Sequence, residues 1–373
     1  MNYLFTCGGT AGHINPAVAV AGKIKELDPD ANFLFVGAKG HMEENLVPRE
    51  GYDIRTVLIT NISRGFSFKA IKHNINTVLN VFRSTREAKK IIKEFKPDIA
   101  IGTGGYVCYP VLKAANKMGI PTVVHESNAV PGLTTKMLSK KVDKILLGFE
   151  DSRQYYKNKE RTIITGTPVR GAFSEFSKNE AKEKLGLNIN KPLVVSVWGS
   201  LGSDHMNKIM TDFTVKANGE SVYKIIHSAG KRGYDKMMNN IKTSVNAFNN
   251  ESIEIREYIY DMPIVMAAAD LIMCRAGAST LAELTYMGKP AILVPSPNVT
   301  NNHQEKNSRI LENAGGAKVL LEGQFDSDSL SAEIDSLIND KDTLNKMAES
   351  MKKLAVMDST DKIADIIINM VKK

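Results

Sequence analysis

The sequence predicts an α/β protein built from two doubly wound, parallel-sheet domains, and three observations lead there. Short apolar runs repeatedly end in glycine-rich loops that open onto helix-spaced apolar positions, the strand-loop-helix rhythm of a parallel sheet. The chain has 373 residues, beyond the size at which a single core usually stops growing. Near Gly166 the rhythm pauses in the linker-like GTPVR and then restarts. The expected domains are therefore 1–165 and 166–355, with the tail 356–373 packing back on the first.

Residues 2–6 form an apolar strand that enters CGGTAGHINPAVAVAGKIKEL, where Ala17, Val20, Ala21, Ile24 and Leu27 mark one helix face. A strand at 33–36, a polar loop from 38 to 49 and a strand at 54–59 follow. Phe68, Ile71, Ile75, Val78, Phe82, Ile92 and Phe95 recur at helical spacing until Pro97 stops the pattern, and 99–102 is again a strand. GTGGYVCYP at 102–110 feeds a helix at 111–117, and the strand at 121–125 ends in HESN. After Gly166 come a polar stretch at 174–190, a strong strand at 193–197 running into WGSLGSDHMN, and strands at 224–227, 253–256 and 271–274. Glycine loops on successive parallel strands gather at the C-terminal edge of a sheet, where ligands bind.

The last of these strands opens the most informative stretch, LIMCRAGASTLAELTYMGKPAILVP. Small residues follow Arg275; Leu281, Leu284 and Met287 then lie one turn apart, and Gly288 stands where a helix would end before a strand at 291–294. The first turn of such a helix offers backbone N–H groups and a positive dipole end, which suit a phosphate. Glu283, one turn further on, either complements the dipole or accepts two hydrogen bonds from a ribose diol. The tail at 360–371 is amphipathic, with Ile363, Ile366, Ile367 and Met370 on one face.

With 43% hydrophobic and 24% charged residues the composition is that of a soluble globular protein. No apolar run approaches the roughly 18 residues of a membrane span, and the N-terminus lacks a leader's basic-then-apolar pattern, so a cytoplasmic protein is expected. Cys7, Cys108 and Cys274 fit no zinc or redox spacing and are expected as buried small hydrophobes. The net charge of +8 is uneven: residues 1–168 carry 24 Lys and Arg against 15 Asp and Glu, residues 169–373 carry 25 against 26. A partner that wants positive charge meets the first half, either nucleic acid or an anionic membrane surface. No aromatic-interleaved basic surface typical of single-strand binders is expected, and so no nucleic-acid partner.

The motifs GGTAGHINPAVAVA, GTGGYV (102–107), HESN (125–128), GTPVR (166–170), CRAGASTLAE and NNHQEKN (301–307) resemble, in order and spacing, the UDP-N-acetylglucosamine transferase family of peptidoglycan synthesis, often called MurG. The resemblance covers nearly the whole chain. It implies two Rossmann-like domains facing across a cleft, the GT-B glycosyltransferase architecture. It also implies inverting transfer of GlcNAc from UDP-GlcNAc to the muramyl 4-hydroxyl of undecaprenyl-diphosphate-MurNAc-pentapeptide (lipid I) to give lipid II. The work would be done peripherally on the cytoplasmic side of the cell membrane, without cofactor or Asp-x-Asp metal site.

By the same resemblance Thr10, Ala11, Gly12, Asn128, Arg170 and Ser200 touch the donor, and Ile259 offers its backbone to uracil. Ala278, Ser279 and Thr280 cradle phosphate, Glu283 binds the ribose and Gln304 reads sugar hydroxyls. Arg170, expected to begin the second domain, would reach across to the diphosphate. Gly12, His13, Gly104, Gly105 and Tyr106 are expected around the acceptor diphosphate. His13, at the mouth of the first helix, is the expected general base, with Glu126 and His125 in reserve; His13 alternatively binds phosphate, and the other two alternatively close the strand end.

Two positions depart from the family pattern: Ala11 stands where glycine is usual, and Trp198 precedes Gly199-Ser200 where a second glycine is usual. The indole must point into the core or form a wall. Residues 65–96 hold eight Lys or Arg and two acids, with Phe66, Phe68, Ile75 and Leu79 among them. They either dock on an anionic membrane face or form a solvated helix face over an ordinary core stripe. A UDP-sugar 2-epimerase and a non-catalytic nucleotide-sugar-binding protein are the competing readings.

Overall fold

The structure is a computed structural model that describes residues 1–59, 68–199, 201–217, 221–245 and 251–372, with side chains described from residue 80 onward in the helix that begins at Phe68. It divides into two units, Met1–Arg170 with Val356–Lys373, and Gly171–Ala355. The division falls after Arg170, whereas the sequence break was expected at Gly166.

In the first unit the chain alternates β1 (Asn2–Cys7), α1 (Ala11–Leu27), β2 (Asn32–Ala38), α2 (Glu43–Arg49), β3 (Asp53–Val57), α3 (Phe68–Phe95), β4 (Ile99–Gly104), α4 (Cys108–Lys117), β5 (Thr122–Glu126), α5 (Leu133–Leu138), β6 (Lys144–Leu147) and β7 (Thr162–Ile164). The seven strands pair in parallel in the order β3-β2-β1-β4-β5-β6-β7. Both sheet faces are covered, which is why β1 reads as a continuous apolar run: Tyr3 and Phe5 join one core and Leu4 the other. Strand order reverses between β1 and β4, with Cys7 paired to Gly104, so the loops leaving these two strands open side by side.

The polar loop expected at 38–49 contains the helix α2; Pro48 in its last turn and a single short apolar pair, Leu46 and Val47, hid its periodicity.

The second unit continues through α6 (Lys178–Lys184), β8 (Leu193–Val197), α7 (Asp204–Ala217), β9 (Lys224–Ser228), α8 (Tyr234–Ser244), β10 (Ile253–Arg256), α9 (Met262–Ala268), β11 (Leu271–Cys274), α10 (Ala278–Met287), β12 (Ala291–Leu293), α11 (His303–Asn313), β13 (Ala317–Val319), α12 (Ser327–Asn339) and α13 (Lys341–Leu354). Its six parallel strands run β10-β9-β8-β11-β12-β13, reversing between β8 and β11. The loops after Val197 and Cys274 therefore lie together at one sheet edge. α6 occupies part of the stretch expected as polar coil, started by a capping box in which Ser177 and Glu180 bond each other's backbone N–H.

The closing helix α14 (Ser359–Val371) belongs to the first unit, where Ile363, Ala364 and Ile367 pack with Ile14, Ala17 and Ala21 of α1. Lys23 reaches Asp361 at 2.8 Å beside that seam.

Candidate active site

In the first unit, β1 delivers the chain into Gly8-Gly9-Thr10, and Thr10 caps α1 through its carbonyl alone, without a side-chain bond. Thr10, Ala11, Gly12 and His13 thus sit at a helix start whose cap residue makes no side-chain bond. β4 delivers Gly104, Gly105 and Tyr106 beside them, with Gly8 N–H donating to Gly104 O at 3.3 Å. The two loops are shaped to each other. Gly104 and Gly105 adopt φ +125 and +90, and a Cβ on the first would strike the His13 imidazole, on the second the Gly8 backbone. The Thr103 hydroxyl donates to His13 O at 2.6 Å, and the Tyr106 hydroxyl meets His41 Nε2 at 2.9 Å.

β5 ends in His125 and Glu126, both buried. His125 Nε2 lies 2.9 Å from Gly166 O and its Nδ1 3.2 Å from Ser127 Oγ. Burial holds its pKa below the ordinary histidine range, so the ring is neutral, with Nε2–H donating to the carbonyl and Nδ1 accepting the hydroxyl proton. Glu126 accepts from Asn128 N and Nδ2 at Oε1 (3.1 and 3.0 Å) and from Gly132 N at Oε2 (3.0 Å). Both oxygens are engaged in shaping the loop that carries Asn128. Arg170 closes this unit rather than opening the second, and its guanidinium lies 3.7 Å from Glu50 Oε1.

In the second unit, β11 ends at Cys274, and α10 begins after Gly277, an N-cap without a side chain. The N–H groups of Ala278, Ser279 and Thr280 make up its first turn, at the positive end of its dipole. Glu283 stands one turn on, and burial above all, with this carboxylate adding, pushes the Cys274 thiol at the strand end up to about 12. Gly288 ends the helix at φ +65 as the spacing expects.

Gln304 lies in the first turn of α11, where its Oε1 accepts Ser296 N–H at 2.8 Å. The preceding Asn301 and Asn302 are both left-handed, at φ +55 and +51, a strained entry of the kind kept where a loop must hold one shape. Ile259 is buried between the exposed Tyr258 and Tyr260. Ser200 lies outside the described residues, as do the side chains of Phe68, Lys69, Lys72, Ile75 and Leu79 and all of Phe66.

Trp198 points into the core, at 2% exposure. Its Nε1–H donates to Ser196 Oγ at 2.9 Å, which bonds His227 Nδ1 at 2.9 Å, and His227 Nε2 meets Asn207 Oδ1 at 3.2 Å. Burial brings His227 to about 3, so this chain beneath the glycine loop stays uncharged.

Family models for the glycosyltransferase family 28 N-terminal and C-terminal domains match residues 3–147 and 193–363. The chain is 42% identical, over 100% of its own length and 99% of the other, to the "UDP-N-acetylglucosamine--N-acetylmuramyl-(pentapeptide) pyrophosphoryl-undecaprenol N-acetylglucosamine transferase" of Acetivibrio thermocellus. It is 39% identical to the corresponding transferase 1 of Bacillus cereus over 100% of both chains. The crystal structure of Acinetobacter baumannii MurG matches with a TM-score of 0.74 and 25% identity, covering 99% of each chain. The chain belongs to glycosyltransferase family 28. A UDP-GlcNAc 2-epimerase from Neisseria meningitidis shares the fold at TM-score 0.66 but only 14% identity, over 99% of this chain and 100% of that one.

Within this family 28 chain, two charged residues at the loops escaped the sequence reading. Arg275 follows β11 and ties the neighbouring loops together: it donates to Ser203 Oγ (2.8 Å) and Val294 O (3.2 Å), pairs with Glu322 (2.5 Å) and lies 5.9 Å over the Trp198 ring. Its position directly after an apolar strand was visible; its partners are spread over the whole unit. The other is Glu43, a fully buried acid bonded to Gly9 and Ala38, which looked like any acid in a polar loop. Among the described residues no group of three or more His, Cys, Asp or Glu is disposed to hold a metal ion.

Proposed function

We propose that this family 28 chain transfers GlcNAc from UDP-GlcNAc to the muramyl 4-hydroxyl of lipid I, producing lipid II for peptidoglycan. The observation that carries the reading is the 42% identity, over the full length, to a transferase named for that donor sugar and acceptor. In the mechanism, the acceptor oxygen attacks the sugar's anomeric carbon, the bond from that carbon to the UDP oxygen breaks, and the acceptor proton passes to a base. One in-line displacement inverts the anomeric centre without a covalent sugar-enzyme intermediate.

Each unit supplies part of this chemistry. The first-turn amides of α10 at Ala278, Ser279 and Thr280 receive the charge that develops on the departing diphosphate, and Glu283 accepts the ribose hydroxyls. Ile259 meets uracil, while Asn128, Arg170, Ser200, Gln304 and the Thr10-Ala11-Gly12 segment complete the donor contacts. The loops carrying Gly12, His13, Gly104, Gly105 and Tyr106 take the acceptor diphosphate, and His13 takes the proton. Glu126 and His125 are assigned to holding the loop, since their polar atoms are engaged by Asn128, Gly132, Ser127 and Gly166. The basic first domain docks peripherally on the anionic cytoplasmic face of the membrane.

The test is incubation with labelled UDP-GlcNAc, with and without a lipid I analogue. UDP release that depends on the acceptor is expected. Turnover to an epimer without acceptor would replace this reading with the epimerase one, and binding without turnover would leave a sugar-nucleotide-binding protein.

A further inference from the structure

Glu43 opens α2 with none of its surface exposed. Its Oε1 accepts Ala38 N–H at 2.9 Å and its Oε2 accepts Gly9 N–H at 3.1 Å, so one carboxylate joins the end of β2 to the loop that leaves β1. Glycines make room for it: a Cβ at Gly8 or at Gly37 would strike the Glu43 side chain. Burying a carboxylate is costly unless its oxygens are bonded, and here one bond goes to the loop that opens α1 and the other to the end of β2.

The constraint spreads from there. Gly9, left-handed at φ +84, is the residue before the Thr10 cap, so fixing its peptide fixes the entry to α1 and with it His13. Gly8 donates to Gly104 O, and Gly105 packs on the Gly8 backbone, so the second glycine loop inherits the same placement. Because the Gly9 amide is taken by an anion, it is not one of the loop's donors to a phosphate.

We propose that Glu43 is a positioning residue for the transfer: it clamps the Gly8-Gly9 turn so that the loops of the first unit are preset for the lipid-diphosphate acceptor, an inference that rests on the acceptor assignment above. It touches no reacting atom and acts through Gly9.

Glu43→Gln keeps the size of the side chain but turns one acceptor into a donor facing a backbone N–H. The KM for a lipid I analogue is expected to rise about tenfold or more, the size of one lost charge-assisted bond, and the thermal midpoint to fall, since one of two buried N–H groups loses its acceptor, while the dissociation constant for UDP stays near that of the unaltered enzyme. An unchanged acceptor KM, or an equal weakening of UDP binding, overturns the role. If Glu43→Gln does not fold, Gly8→Ala, whose methyl meets the carboxylate from the loop side, should give the same rise in acceptor KM with UDP binding unchanged, and a normal acceptor KM there overturns it as well. No transfer by the unaltered enzyme would overturn both the functional reading and this one; a normal acceptor KM in an active variant overturns only the role of Glu43.

Discussion

At His13 the question is what an imidazole at a helix start can do. Its ring fills the space that Gly104 leaves open, beside the loop assigned to the acceptor. His13→Ala is expected to lower kcat by about 10²- to 10⁴-fold, the usual range for a lost general base, with UDP binding unchanged; near-normal turnover would remove the assignment. Glu126→Gln should differ in kind. A carboxamide has one accepting oxygen, so it cannot serve both Asn128 and Gly132, and the expected loss is about 1–3 kcal/mol of stability, read as a lower thermal midpoint. A kcat that collapses while the midpoint holds would return Glu126 to the chemistry. The place of His13 at a helix start was legible because it sits in a glycine-helix motif. Glu43 was not, because its burial depends on Gly8 and Gly37, which the sequence does not mark as its neighbours.

Among elements, strands buried on both faces were the most legible, since burial demands continuous apolar runs, as in β1, β8 and β11. Short helices were not: α2 and α6, at seven residues each, span too few turns to show a period. The helix α10 was readable at both ends, but the residue after its C-cap holds a surprise. Lys289 is buried and donates to Ala267 O and Ala269 O at 2.6 and 2.8 Å. Burial above all, then the neighbouring Lys178 charge, with Lys182 and Lys352 acting the same way and Asp270 opposing, lowers it from 10.5 to about 7. The unfolded chain keeps this proton to about 10.5 while the folded chain releases it above about 7, so stability rises with pH across that window. Urea unfolding at pH 7 and pH 9 should show the unaltered protein gaining about 2 kcal/mol from this group, and Lys289→Met should lose that gain. Equal slopes in the two proteins would assign the pH dependence elsewhere.

For the whole molecule, two α/β units were legible because the βα rhythm runs through both halves and breaks once. The excess positive charge of the first half was equally plain, and its use is a matter of packing that periodicity cannot settle. Where α3 is described, Ser84, Ala88, Ile91 and Ile92 are buried while Phe82, Arg83 and Arg86 are exposed, and among the described residues no helix is long and apolar enough to cross a membrane. Changing Lys69, Lys72, Arg83 and Arg86 to Glu should reduce binding to anionic liposomes by about a hundredfold or more, at about 1 kcal/mol per basic residue, and leave UDP binding intact. Unchanged partitioning would leave that surface a solvated helix face. The central claim, that the second unit holds the donor by backbone amides and a ribose-binding acid, is tested most directly by a structure with UDP-GlcNAc bound. The uracil should lie at Ile259, the ribose diol on Glu283 and the diphosphate on the Ala278, Ser279 and Thr280 amides; a uridine lodged in the loops of the first unit would contradict it.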